Sequence, residues 1–165
     1  MVPKLALAAI TVSLAAAFTA APASAEERKC RGTINAVTVD NLRVPSGATC
    51  TLNGTRVKGT VKVGRGATLK ANGIRVIGNV QAEGAAKVSV LSSRVGGSVQ
   101  IVQGLSSKLR STSVKGDVQY FENRGSIGIT GNRVDGNLQC KENSLGPTGA
   151  SNVVQGNKED QCSSL

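Results

Sequence analysis

Apolar side chains in this sequence come in short groups with a period of two, and the groups themselves return every 19 or 20 residues. One group gives Val61 and Val63, Val80 and Ala82, Val99 and Ile101, Val118 and Tyr120, then Leu138 and Cys140. A second gives Cys50 and Leu52, Leu69 and Ala71, Val88 and Val90, Ile127 and Ile129. Between them stands the single column Val57, Val76, Val95, Val114, Val134. A period of two is the alternation of a strand, whose successive side chains point to opposite faces. Each repeat therefore predicts three strands, with Gly, Ser, Asn and Pro gathered where the chain must turn and where positive φ is often needed.

The glycines at 59, 78, 97, 116, 136 and 156 are 19, 19, 19, 20 and 20 residues apart, and residues 44–57 align without a gap on residues 63–76. A fixed period of this length marks a stacked solenoid. Three strands per repeat, too short to hold a helix between them, predict an all-β, single-stranded parallel β-helix. About six coils over residues 39–157 would give a rod roughly 30 Å long at ~4.8 Å per coil. The general preference for right-handed crossovers predicts the right-handed form.

The ends differ from the repeats. Residues 1–25 read as a secretory signal peptide: Lys4, an apolar run from Leu5 to Phe18, and Ala23-Ser24-Ala25 as a small-residue cleavage site. The apolar run is short for a membrane span, which needs about 20 residues, and no later stretch could cross a bilayer. Residues 26–38 read as an N-terminal cap and residues 158–165 as a C-terminal cap. Lys158 stands where earlier repeats have Val or Leu, followed by Glu159 and Asp160, which replaces an inward apolar side chain by charge and stops the array.

Removing residues 1–25 takes Lys4 from the 20 basic residues and none of the ten acidic ones, leaving 19 against ten and a net charge of +9. Only Tyr120 and Phe121 are aromatic beyond the leader, and the chain has no Trp and no His. Valine, Ile, Leu and Ala must then fill a narrow bore. All four cysteines lie beyond the leader, and in an oxidising compartment disulfides are the default. Three pairings are open in principle. Position favours Cys30 with Cys50 and Cys140 with Cys162, each about one repeat apart and at one end of the array. Zinc is a weaker alternative, since there is no His and no C-x-x-C spacing.

Stacking turns a repeated residue into a column. The position before the recurring Val gives Arg56, Arg75, Arg94, Ser113 and Arg133, with Lys58, Lys62 and Lys115 expected near them. Unit charges about 5 Å apart in water repel by somewhat under 1 kcal/mol before salt screening. A bound polyanion would relieve that repulsion, so the strip predicts adhesion to an acidic polysaccharide, lipopolysaccharide phosphate or extracellular DNA. A merely solvated edge that prevents aggregation is the competing explanation. The column Lys62, Gln81, Gln100, Gln119, Gln139 predicts a hydrogen-bonded amide ladder. The column Thr60, Asn79, Ser98, Asp117, Asn137, Asn157 reads as turn chemistry.

Catalysis finds little support. Asp117, Asp135, Glu83, Glu122 and Glu142 are scattered, and without His or a free thiol the common bases and nucleophiles are missing. A polysaccharide lyase using Arg or Lys as base is the one enzyme class kept open. No cofactor and no metal site is predicted, and repeated Asp in the calcium-binding solenoid pattern is absent.

The Val-x-Gly-Asn-Val-Gln phrases, with Val44-Pro45-Ser46-Gly47-Ala48 and Gly64-Arg65-Gly66-Ala67, resemble the β-helical coils of the bactofilins, or polymer-forming cytoskeletal proteins, over roughly residues 39–157. They are similar also to small secreted bacterial proteins of the same coil type. The bactofilin resemblance implies a non-enzymatic scaffold polymerising end to end, although a signal peptide, paired cysteines and a charged last coil set this chain apart from that family. The expectation is a secreted bacterial protein, periplasmic or extracellular, monomeric and non-catalytic, with a self-assembling scaffold as the alternative.

Overall fold

The computed structural model describes residues 26–165; the predicted signal peptide, residues 1–25, lies outside the described residues. The chain winds as a parallel β-solenoid of about seven turns, with no helix among the described residues. Every strand pairing is parallel. One sheet has eight strands, from Glu27–Lys29 at one end to Lys158–Asp160 at the other. A second has six, from Gly32–Ile34 to Ile127–Thr130, and a third has seven two-residue strands, from Thr38–Val39 to Val153–Val154. They are called here the long, the six-stranded and the short-strand sheet.

The sequence columns become vertical files. In the short-strand sheet Val57, Val76, Val95, Val114 and Val134 stack in register and are all buried. Val61, Val80, Val99, Val118 and Leu138 do the same in the long sheet. The bore is filled almost wholly by Val, Leu, Ile and Ala, and Tyr120 is its largest fully buried side chain. At ~25 cal/mol per Å², burial of these side chains is what drives the wrap. The backbone hydrogen bonds between coils satisfy the polar groups that burial would otherwise strand.

There are about seven turns rather than six, because residues 27–39 are a complete first coil and not only a cap. Glu27–Lys29 pairs with Asn41–Arg43, Gly32–Ile34 with Cys50–Leu52, and Thr38–Val39 with Arg56–Val57. Its outward residues are polar apart from Ala36 and Val37, and Cys30, Ile34 and Val39 are buried in the bore. At the other end Lys158 pairs in register with Leu138. A turn over residues 161–164 then brings Cys162 into the core and lays Leu165 against it.

The disulfides are Cys30–Cys50 and Cys140–Cys162, one near each end. Each joins neighbouring coils. No cysteine among the described residues is free.

The recurring glycines are explained by crowding, not by positive φ: none of Gly59, Gly78, Gly97, Gly116, Gly136 or Gly156 has a left-handed backbone. A Cβ on Gly78 would stand 2.7 Å from Gly59 O, and one on Gly97 would strike Asn79 Oδ1. That side-chain oxygen is there because it accepts the next coil's amide. Asn41, Asn79, Asp117 and Asn137 accept the N–H of Thr60, Ser98, Asn137 and Asn157 at 2.8–2.9 Å. The column read as turn chemistry thus stitches one corner of the rod from coil to coil.

Candidate polyanion-binding surface

The short two-residue strands put one side chain in and one out, so the residue before each buried Val must face solvent. Arg56, Arg75, Arg94, Ser113 and Arg133 accordingly stack in one outward file of the short-strand sheet. The file begins at Thr38 and ends at Val153. Arg56, Arg75 and Arg94 are exposed on three successive coils and have no ion-pair partner among the described residues.

The remaining members of the predicted strip are placed differently. Lys58 lies 3.0 Å from Asp40, and Lys115 and Arg133 share Asp135 at 3.4 and 3.5 Å. The cations of these pairs are exposed and Asp135 is half-buried; pairs so open to solvent are worth about 1 kcal/mol or less each, but they offset charge locally. Lys62 does not belong to the arginine file. It sits on the long sheet, in register with Arg43 on one side and Gln81 on the other. The strip that remains unpaired is Arg56, Arg75 and Arg94.

On the long sheet the outward file reads Lys29, Arg43, Lys62, Gln81, Gln100, Gln119, Gln139, Glu159. The predicted amide ladder is present and has a direction. Each Nε2 donates to the Oε1 of the next coil, from Gln81 to Gln100 at 3.0 Å, Gln100 to Gln119 at 2.8 Å and Gln119 to Gln139 at 2.7 Å. Gln139 then donates to the carboxylate of Glu159 at 2.7 Å, a charge-assisted end to the chain. Cations therefore occupy one end of this file, amides its middle and an acid its other end.

Basic residues also stand on the six-stranded sheet, where Lys70, Lys87, Lys108 and Arg110 are exposed. The positive charge is spread over all three faces. A groove of about 640 Å³ opens on the long sheet between Arg43, Lys62, Arg65, Gln81, Glu83 and Gln100. Arg43 and Arg65 were not singled out from the sequence. Their signal was available, because Arg43 and Lys62 are 19 residues apart and so fall in one file.

Fold and surface together define a disulfide-stapled β-solenoid with basic faces. Comparison with known protein families, with curated proteins and with solved structures finds no significant match. No helix among the described residues is long and apolar enough to cross a membrane. Two disulfides suit an oxidising compartment, extracellular or periplasmic.

Proposed function

We propose that the protein is a secreted, non-catalytic bacterial surface or matrix protein that acts through its exterior, holding acidic polymers along the file Arg56, Arg75 and Arg94. The observation that carries this reading is the absence of any carboxylate partner for these three exposed guanidinium groups among the described residues, although Arg133 on the same sheet and Lys58 and Lys115 directly after its strands each have one. Like charges one coil apart keep a standing repulsion that an extended polyanion removes, and the planar guanidinium suits both carboxylate and phosphate. Acidic polysaccharide, lipopolysaccharide phosphate and extracellular DNA all present such a row of anions.

Retention on heparin resin against salt tests it. The wild-type chain should elute well above about 0.15 M sodium chloride, and the triple variant Arg56→Ser, Arg75→Ser, Arg94→Ser well below wild type. Serine already occupies this file at Ser113, so the variant keeps a side chain the fold accepts. Elution of the wild type at or below about 0.15 M, or no change in the variant, would remove the reading.

A second reading, end-to-end assembly in the manner of a bactofilin-like scaffold, draws on the opposite charges of Lys29 and Glu159 at the two ends of one file. The same stacking would set Lys158 against Arg28, which end the neighbouring file through Leu42 and Leu138. Placing two ammonium or guanidinium groups at the mouth of an apolar bore is costly, which favours the monomer. A single sharp monomer species in sedimentation velocity would dispose of the scaffold.

A further inference from the structure

The long sheet has a gap in its outer cover. Beside the glutamines its outward residues run Glu83, Val102, Phe121 and Lys141 in register. In the coil before Glu83 the chain has only Gly64 after the buried Val63. Gly64 lines the groove of about 640 Å³ that lies between the Arg43, Lys62, Gln81 and Gln100 file and the corner at Arg65, and a Cβ on it would come within 3.0 Å of Ser46 N and Oγ on the coil before. Arg65 forms its far wall. A Cβ on Gly84 would come within 3.3 Å of Arg65 Cγ, so the missing side chain at Gly84 lets the arginine stem fold down over the next coil.

The charged groups around this groove are unmatched among themselves. Neither Lys62 nor Arg65 has an ion-pair partner among the described residues, and Glu83 has none either; Arg43 reaches Glu27 only at 3.8 Å. Because the amide ladder runs away from it, Gln81 spends its Nε2 on Gln100, while its Oε1 accepts no hydrogen bond among the described residues. The groove thus offers cationic donors on two sides and two free acceptors, Gln81 Oε1 and Glu83. A bare sulfate could use the donors but not the acceptors, and a small phosphate, with one or two O–H groups on a compact tetrahedron, does not span donors and acceptors on both sides of the groove. A single-stranded nucleic acid would want an aromatic surface for its bases, and none lines the groove. A molecule that carries carboxylate and hydroxyl groups on one small ring satisfies both kinds.

We propose that this groove is a binding site for an acidic oligosaccharide, with a uronate carboxylate held by Lys62 and Arg65 and sugar hydroxyls donating to Gln81 Oε1 and Glu83. The proposal rests on the acidic-polymer reading for its ligand class, but it places a discrete sugar site on the long sheet, away from the arginine file of the short-strand sheet.

Titration calorimetry of the full disulfide-bonded chain with trigalacturonate tests it, beside the methyl-esterified trisaccharide and inorganic phosphate. Lys62→Gln copies the residue one coil on, Gln81, and Arg65→Ser copies Ser46 at the corner one coil back, so both are expected to melt as wild type does. Each should weaken trigalacturonate by about tenfold or more, the loss expected for a charge-assisted contact. Lys108→Ser, which copies Ser89 one coil back on the six-stranded sheet, should leave it unchanged. The esterified trisaccharide should not bind, and phosphate should not compete at equal concentration. Equal weakening by Lys108→Ser, binding of the esterified sugar, or competition by phosphate would each overturn the site. Retention on heparin without trigalacturonate binding would sink the groove alone, while trigalacturonate binding with no heparin retention would sink the arginine file alone.

Discussion

Asn79 Oδ1 accepts the backbone N–H of Ser98 from one coil away at 2.8 Å, and this bond occupies the space that a Cβ on Gly97 would need. The polar residue and the next coil's glycine are therefore one device, repeated up the corner. Gly97→Ala must either break that bond or push the coils apart. A loss of about 2–4 kcal/mol is expected, combining overpacking with a stranded amide. Gly146→Ala is the control, since an added Cβ there meets nothing within 4 Å and the backbone is not left-handed; it should stay within about 0.5 kcal/mol of wild type. Urea unfolding of the two variants measures the difference, and equal midpoints would mean the corner is looser than drawn.

A second corner is held from inside. Asn123 Oδ1 accepts Gly104 N–H at 2.8 Å, while its Nδ2 donates to Ile101 O and to Asn143 Oδ1 at 3.0 and 2.9 Å. Asn132 repeats the arrangement with Thr112, Leu109 and Asn152 at the corner before the short strand. All four asparagines are buried. Asn123→Ala leaves donors and acceptors without partners and should cost about 2–4 kcal/mol. Amide exchange at Gly104 should quicken by more than at Ser98, whose acceptor is untouched. Uniform quickening along the rod would point to global rather than local loss.

Legibility followed the strictness of the repeat. From residue 41 onward each file could be read because Arg56, Arg75 and Arg94, or Val61, Val80 and Val99, keep a 19-residue step, and one step is one rung. The first coil was hidden because it lacks the glycine phrase: Asp40, not Gly, precedes Asn41, and a run such as Glu27-Arg28-Lys29 looks like a solvated tail until its partner strand is known. Asn123 and Asn132 were hidden by chemistry. Asparagine in a corner reads as a turn residue, although Ser93, Thr112, Asn132 and Asn152 each lie two residues before an inward position, and the period of two already points them into the rod. The division of Lys62 from Lys58 needed the corner between them, because four residues that include a turn change the face a side chain stands on.

Cystines at both ends should act locally. In a stack where each coil touches only its neighbours, fraying begins at the tips. Cys140 and Cys162, 22 residues apart, fasten the turn that carries Leu165 over the bore. Replacing both by Ser should cost on the order of 3 kcal/mol. Exchange should rise at amides of residues 153–165 while the central coils keep their protection. Loss of protection throughout would show that the solenoid unfolds as one cooperative unit, without independent tips.

Tyr120 is fully buried in the bore, and its hydroxyl and the facing Ser107 Oγ each lack a hydrogen bond. Desolvation by burial pushes the phenol well above its ordinary value. The sign follows from linkage. The fold holds the neutral phenol, whereas the unfolded chain releases its proton near pH 10, so above that pH the unfolded state binds fewer protons and stability falls as pH rises. Below about pH 10 the contribution is constant. Tyr120 is the one tyrosine of the chain, so phenolate absorbance reports this site alone. No phenolate should form in the native protein near pH 10, and its appearance should coincide with loss of the β signal in circular dichroism. Tyr120→Phe removes an unsatisfied hydroxyl and keeps the ring, so it should leave stability unchanged or raise it by up to about 1 kcal/mol, with the alkaline loss flattened. Native-state ionisation near pH 10 would mean that water reaches the bore.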